Sequence, residues 1–362
     1  MKKILIAINQ LSGGGAERVA TLLANYLSEN HDVSMVVKFR YPNEYALSPK
    51  VNVYTIAESE EAFFKTRKIK RLARRRELTK NIKPDVLISF LPRVQISMMI
   101  ATFGIRIKRI ETVRNSPWNE ELGRLETFLW KKCFKRADGV IFQTEEQGEF
   151  FSDKVRNKSI ILPNPVSKSC FEKERCYSEK IENFVAVGRL APQKNYPLMI
   201  KAFYKAVQKN KDLKLHIFGS GSEKEIADLT NLIESLDLNN NVFLMGRSEN
   251  VFDEVLKRDA FIMSSDFEGM PNALMEAMAL GTVCISTNCR TGPKDLIDHG
   301  ANGFLVPVKD KETLANAILN VSKLTHSEQV KIGKSAKQKI ISLQEGNSLE
   351  ELEKMIEGFK TK

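Results

Sequence analysis

The chain has 362 residues, 42% of them hydrophobic and 28% charged, with a formal net charge of +11. That length suits two domains better than one core or three, and the composition excludes a disordered chain. No apolar run approaches bilayer length, the run Ile4–Ile8 is too short for a signal peptide, and five cysteines without a C-x-x-C pair indicate neither a disulfide framework nor a zinc site, so a reducing cytoplasm is the expected home.

Strands and helices alternate from the amino end. Ile4–Ile8, Asp32–Val37 and Asp85–Phe90 read as short buried strands, and Ala16–Leu27 is the clearest helix between them. After the first strand comes Ser12-Gly13-Gly14-Gly15-Ala16-Glu17-Arg18, whose backbone can approach a phosphate or a sugar closely, although tight turns also want glycine. It is not the dinucleotide fingerprint. Arg18 holds the third glycine position, and the second strand ends in Lys38 rather than an acid.

Phe63 and Phe64 precede the run Lys65 to Arg76, which reads as one basic helix with a small apolar stripe at Ile69, Leu72 and Ala73. Such runs are most often solvated faces; the alternatives are docking on anionic lipid or on nucleic acid. Residues 1–167 hold 29 Lys+Arg against 18 Asp+Glu, whereas the remainder holds 27 of each, so all the excess charge sits in the first half. Lipid is the favoured partner, and no nucleic acid is expected.

An amphipathic helix carrying Leu122, Leu125, Phe128, Leu129 and Phe134 leads to the strand Gly139–Gln143, and Leu162-Pro163-Asn164-Pro165-Val166 reads as a linker. The pattern then restarts with strands at Asn183–Val187, Lys214–Phe218, Val242–Leu244, Phe261–Met263 and Val283–Ser286. The expected fold is α/β: two Rossmann-like doubly wound domains, residues 1–166 and 167–347, facing each other across a cleft.

In the second half, Gly188-Arg189-Leu190 and Lys194 place two cations on the loop after a strand. Either can be a surface charge, but together they are better explained as a diphosphate clamp. Gly219-Ser220-Gly221 forms a second glycine turn. The stretch from Ser264 through Glu268-Gly269-Met270-Pro271-Asn272 to Glu276 follows a buried strand and opens a helix, with Pro271 expected at its first position. Glu276 then lies roughly 7 Å inside the helix at about 1.5 Å per residue. Leu274, Met275, Ala277 and Met278 surround it, so its charge needs a partner, and a ribose diol offers two hydroxyl donors. Glu268, on the loop, is free to bind a second polyol.

These segments, together with Gly246-Arg247 and Asn302-Gly303-Phe304-Leu305-Val306, occur in the order seen in retaining glycosyltransferases of family 4, which have the GT-B fold, and the chain resembles that family over nearly its whole length. Gly14-Gly15-Ala16-Glu17-Arg18 is similar to its bacterial polysaccharide and glycan-assembly members. The resemblance implies that the second domain binds a nucleotide sugar, the first binds the acceptor, and a helix at 348–360 returns to the first domain. Arg189 and Lys194 would hold the donor diphosphate in place of a metal ion, so neither metal nor cofactor is expected. Glu268 would touch the sugar ring, and Glu276 the ribose. Gly188, Gly219, Gly246, Arg247 and Pro271 belong to the donor site, as do the backbone N–H groups of Gly269, Met270 and Asn272; Gly13, Gly14 and Gly15 would face them.

Where many relatives carry a histidine, this chain has Thr112-Val113-Arg114-Asn115-Ser116, so Arg114 and Asn115, with Arg18, become the acceptor-site candidates. No carboxylate pair suited to double displacement is evident, and retention would follow from front-face attack. The expected partners are a UDP-linked donor, a lipid-linked or glycan acceptor, and an anionic membrane surface met through Lys65 to Arg76, on the inner face of the cytoplasmic membrane. The alternatives are a nucleotide-sugar epimerase on the same fold, or a basic non-catalytic binding protein that has no use for Arg189, Lys194, Glu268 and Glu276.

Overall fold

Ile4, Ile6 and Ile8 turn to one face of the first strand, Leu5 and Ala7 turn to the other, and both sets are buried. A parallel strand covered on both sides must be apolar throughout, which is why these runs stand out in the sequence. The computed structural model describes residues 1–345 and 348–359. The chain forms two compact units: residues 1–165 with the C-terminal helix Ser348–Gly358, and a second unit beginning at Val166.

Unit 1 is built on β1 (Lys3–Ala7), β2 (Asp32–Val37), β3 (Asn52–Thr55), β4 (Val86–Ser89), β5 (Lys108–Thr112), β6 (Gly139–Phe142) and β7 (Ser159–Ile161). They form one parallel sheet in the order β3-β2-β1-β4-β5-β6-β7. Helix α1 (Gly15–Leu27) covers one face, where Leu23 and Leu27 meet Ile4 and Ile6, and Leu352 and Ile356 of the C-terminal helix complete the same core. The other face carries α2 (Glu60–Lys65), α3 (Lys68–Ile82), α4 (Pro92–Ala101) and α5 (Arg124–Arg136). Phe63, Leu78, Val94 and Met98 pack there on Leu5 and Leu87, while Trp130 and Phe134 pack on Val140 and Phe142. Each such side chain contributes about 1.5–3 kcal/mol when fully buried.

Unit 2 has β8 (Asn183–Val187), β9 (Lys214–Phe218), β10 (Val242–Gly246), β11 (Ala260–Met263), β12 (Val283–Thr287) and β13 (Phe304–Val306), all parallel, in the order β10-β9-β8-β11-β12-β13. Helices Tyr196–Val207 and Lys311–Val321 cover the face of Phe184, Ala186 and Ile262; helices Asn272–Ala279 and His326–Glu345 cover that of Val185, Phe261 and Met263. The chain winds outward from β8 in one direction and from β11 in the other. The loops after these two adjacent strands therefore part, leaving a crevice at their carboxyl ends, the usual ligand position of a doubly wound sheet.

Several expectations are corrected. The run Lys65 to Arg76 is not one helix: Thr66 and Arg67 are extended, ending α2 and starting α3 anew. Within α3, Ile69 is 73% exposed, and the buried residues are Arg75, Leu78 and Thr79. Leu125 and Phe128 likewise face solvent, while Trp130, Cys133 and Phe134 make the buried side of α5. Pro271 is the N-cap of its helix rather than the first helical residue. Strands β3, β7 and β13 escaped the sequence reading because they sit at sheet edges and are mostly only half-buried, and the central β5 escaped it because Lys108, Arg109 and Glu111 break its apolar run. The expected domain end at Asn347 and helix end at Lys360 lie outside the described residues. Among the described residues, no helix is long and apolar enough to cross a membrane.

Candidate active site

The loops after β8 and β11 are bonded to each other at the point where the strand order of unit 2 reverses. Lys194 Nζ lies 2.6 Å from Glu268 Oε1, with the two side chains 18% and 8% exposed. Ser265 Oγ donates to the same carboxylate oxygen at 2.6 Å, and Gln193 Nε2 donates to Oε2 at 3.4 Å and to the Phe267 carbonyl at 2.7 Å. Asn195 Nδ2 donates to Asp266 Oδ1 at 2.8 Å, while Ser264 Oγ donates to the Lys194 carbonyl at 2.8 Å. A charge this shielded is stable only when paired and hydrogen-bonded. Glu268 meets that requirement within its own unit.

Local geometry explains why glycines recur here. A Cβ on Gly219 would stand 1.8 Å from the Gly188 carbonyl oxygen, and one on Gly221 would meet Leu190 Cβ at 2.8 Å. Only bare backbone lets these two turns touch. The Lys194 stem runs over Gly188, where a Cβ would meet its Cε at 3.3 Å. Gly292 has φ +93°, and a Cβ there would lie 2.5 Å from the Gly269 carbonyl and 2.7 Å from Pro271 Cδ. Thr291 Oγ1 also donates to the Glu268 carbonyl. Gln193, Ser265, Thr291 and Gly292 thus shape the loop that bears Glu268, and the sequence reading missed all four. The Thr-Gly-Pro punctuation at 291–293 was the available signal.

Arg189 is exposed and makes no ion pair among the described residues. Its charge contributes to holding Glu225 below the usual carboxylate range, after the hydrogen bonds that Ser222 gives that side chain. Gly246 ends β10 with φ +70°, and Arg247 follows it, exposed. Met270 and Gly269 are buried, and Glu276 is half-buried on Asn272–Ala279. Burial pushes the Cys289 thiol up to about 12, with Glu268 adding to it. Among the described residues, no group of three or more His, Cys, Asp or Glu is placed to hold a metal ion. The crevice offers an exposed guanidinium, a shielded ammonium and a carboxylate, which together suit an anion that also carries hydroxyl groups.

Unit 1 has its own polar cluster at the carboxyl edge of its sheet. Arg114 follows β5, and its guanidinium sits 4.9 Å from the Phe90 ring centroid. Nη1 donates to Asn164 Oδ1 at 3.4 Å, while Nε and Nη2 are shut off from solvent without a hydrogen-bond partner. Burial pushes this guanidinium down to about 9. Asn164 also accepts from Gln143 Nε2 at 2.7 Å, so the proline-rich segment is an ordered wall of the cluster rather than a slack connector. The Asn115 carbonyl accepts from Gln147 Nε2 at 3.1 Å. At the head of α1, Gly13 has φ +85°, Gly14 is the N-cap, and a Cβ on Gly14 would lie 2.1 Å from Glu17 Oε2; Gly15 is exposed and Arg18 is half-buried.

Residues 172–339 match the family model described as glycosyl transferases group 1, and residues 13–169 match the model for glycosyltransferase family 4. The chain is 27% identical to an uncharacterized glycosyltransferase of Haemophilus influenzae, over 99% of both chains. It is 28% identical, over 87% of this chain and 88% of the relative, to the N-acetylgalactosamine-N,N'-diacetylbacillosaminyl-diphospho-undecaprenol 4-alpha-N-acetylgalactosaminyltransferase of Campylobacter jejuni. Among solved structures, Anabaena HepE in complex with UDP and glucose matches with a TM-score of 0.80 at 16% identity, over 99% of this chain and 100% of that one. That likeness concerns the fold, which is GT-B.

Proposed function

The chain belongs to the family 4 and group 1 glycosyltransferases, and from that premise we propose that it moves a sugar from a nucleotide sugar, UDP-linked, to a lipid-linked or glycan acceptor with retention of configuration. The observation that carries this reading is the Lys194–Glu268 pair, held at 2.6 Å in the switch-point crevice of unit 2. An arriving diphosphate offers Lys194 a stronger partner than one carboxylate, and Arg189 stands exposed on the same loop to grip it. As Lys194 turns to the phosphate, Glu268 is released to accept from the sugar hydroxyls. Glu276 takes the ribose diol, and the backbone N–H groups of Gly269, Met270 and Asn272 complete the donor contacts.

In the reaction, the bond from the anomeric carbon to the β-phosphate oxygen breaks and a bond to the acceptor oxygen forms on the same face. The acceptor proton passes to the departing phosphate oxygen. The negative charge grows on the diphosphate, where the two cations stabilise it most. Arg114, whose Nε and Nη2 lack hydrogen-bond partners, is the candidate for an anionic or polyol part of the acceptor, which must open the cluster to reach these shielded atoms, and Asn115 and Arg18 belong to the same proposal.

Lys65, Arg67, Lys68 and Lys70 are exposed around Phe64 and Ile69, which are 67% and 73% exposed, and this cluster is the proposed contact with an anionic membrane surface. Arg75 is buried and takes no part. The protein would then work peripherally on the inner face of the cytoplasmic membrane. No structural feature favours the epimerase or binding-protein alternatives. A nucleotide-sugar panel read by thermal shift tests the donor class: a UDP-sugar should raise the melting temperature, and a shift with other nucleotides alone would redirect the assignment.

A further inference from the structure

At the amino edge of the unit-1 sheet, opposite Arg114, lies a cavity of about 740 Å³. It opens among the residues that lead into β1, β4, β5 and β6, and its lining holds seven Lys and Arg side chains against two aspartates. Both aspartates are already engaged. Asp85 Oδ2 accepts from the Lys3 N–H at 2.8 Å; Asp138 accepts from Lys108 Nζ at 2.8 Å and from the Arg109 N–H at 3.0 Å. Lys2 Nζ donates to the Phe359 carbonyl, and the Arg109 guanidinium donates to the hydroxyl and carbonyl of Thr102. Lys80, Lys83, Arg106 and Arg136 remain, exposed and without an ion pair among the described residues.

We propose that this cavity, ringed by Lys80, Lys83, Arg106 and Arg136, binds a phosphate-bearing anion. Cations gathered round one hollow repel each other, and an anion between them removes that cost. The carbonyl ends of α3 and α5 account for Lys80 and Arg136, but Arg106 stands on neither helix. Two guanidiniums supply the flat forks that suit phosphate oxygens. The volume falls within the range of about 300–1,000 Å³ usual for small-molecule sites. Phe359 forms one wall, with Lys108 Nζ 5.7 Å from its ring centroid. Near the lining residue Ile105, Phe103 on the preceding turn is 70% exposed and Ile100 at the end of α4 is 45% exposed. The phosphate can therefore belong to a soluble compound or to a lipid headgroup.

The test replaces Lys83, Arg106 and Arg136 with glutamine, using as control a variant that loses the same charge at exposed Lys201, Lys224 and Lys331 of unit 2. Calorimetry with inorganic pyrophosphate and flotation with phosphatidylglycerol-containing vesicles give the two readouts. With UDP present at saturation to occupy the donor site, the cavity variant should bind at least one probe about tenfold or more weakly, equivalent to some 1.4 kcal/mol, while the control variant keeps that binding. Loss of pyrophosphate binding alone assigns a soluble phosphate; loss of vesicle binding, with or without it, opens the site to a headgroup. All of the cations of the Lys65–Lys70 cluster stay in place, so the outcome is separate from that contact. Unchanged affinity for both probes, or an equal loss in the control variant, overturns the proposal.

Discussion

Lys194 Nζ and Glu268 Oε1 stand 2.6 Å apart on loops that follow β8 and β11, and each is the other's charged partner in a largely shielded crevice. Removing the lysine leaves a buried carboxylate that, among the described residues, is hydrogen-bonded by the side chains of Ser265 and Gln193 alone. Lys194→Ala should therefore cost about 1–3 kcal/mol of stability as well as activity. Adding Glu268→Gln should restore part of the stability and none of the activity. Urea denaturation of the two variants, set beside turnover, checks both statements; equal stability in the single and double variants would mean that the pair does not matter to folding.

Gly219 and Gly246 make a second comparison. The Cβ of Gly219→Ala would collide with the Gly188 carbonyl at 1.8 Å, whereas Gly246→Ala meets open space and only its φ of +70° opposes it. The left-handed conformation alone costs roughly 1–2 kcal/mol. Gly219→Ala should be the more damaging of the two in a melting experiment, because backbone must move, and it should also weaken nucleotide binding by shifting the loop that carries Arg189.

Glu111 is buried at the core end of β5, and burial raises its carboxyl to about 8, with Arg109 opposing in part. The unfolded chain releases this proton near the ordinary value of 4.5. Between these values the native state binds more protons than the unfolded one, so stability falls as pH rises through the window. Glu111→Gln should flatten that fall by on the order of 3 kcal/mol. Denaturation midpoints of the two proteins at about pH 5 and about pH 8 bear directly on this; parallel curves would contradict it.

The membrane contact predicts binding to vesicles of anionic but not neutral lipid, fading with salt because exposed charges are screened within about 8 Å under physiological conditions. Replacing Arg67, Lys68 and Lys70 by glutamine, and leaving Lys65 with its Glu61 partner, should abolish most of it while leaving transfer to a short water-soluble acceptor intact. Arg74 and Arg76 are poorer choices. The first pairs with Glu77 at 3.0 Å, and the second donates to the Ala101 and Phe103 carbonyls. Sedimentation with neutral and anionic vesicles alike would return these cations to an ordinary solvated surface.

Most central strands were legible because burial on two faces forces a continuous apolar run, as in Ile4–Ile8 and Phe261–Met263; central β5 was not, because Lys108, Arg109 and Glu111 interrupt it. Asn52–Thr55 was not, since at the sheet edge its residues alternate between exposed and half-buried. The exposure of Ile69 was not legible, because periodicity reports which residues share a face, not whether that face finds a partner. Arg189, Lys194 and Glu268, proposed for the donor, were singled out from motif spacing, and the structure adds the direct contact of the last two. Thr291 and Gly292 could not. They act on Glu268 and on the turn at Gly269 and Pro271 from more than twenty positions away, through a hydrogen bond and a missing side chain.

Donor binding at the carboxyl edge of the unit-2 sheet is the decisive property. Calorimetric titration with UDP, with a chelator present, should show one site. Arg189→Ala, whose side chain is exposed and leaves the core untouched, and Glu276→Gln should each weaken it by about 1–3 kcal/mol, the scale of a charged hydrogen bond. Full-strength UDP binding in both variants, or binding that appears only with added divalent metal, would contradict the assignment of these residues to the donor.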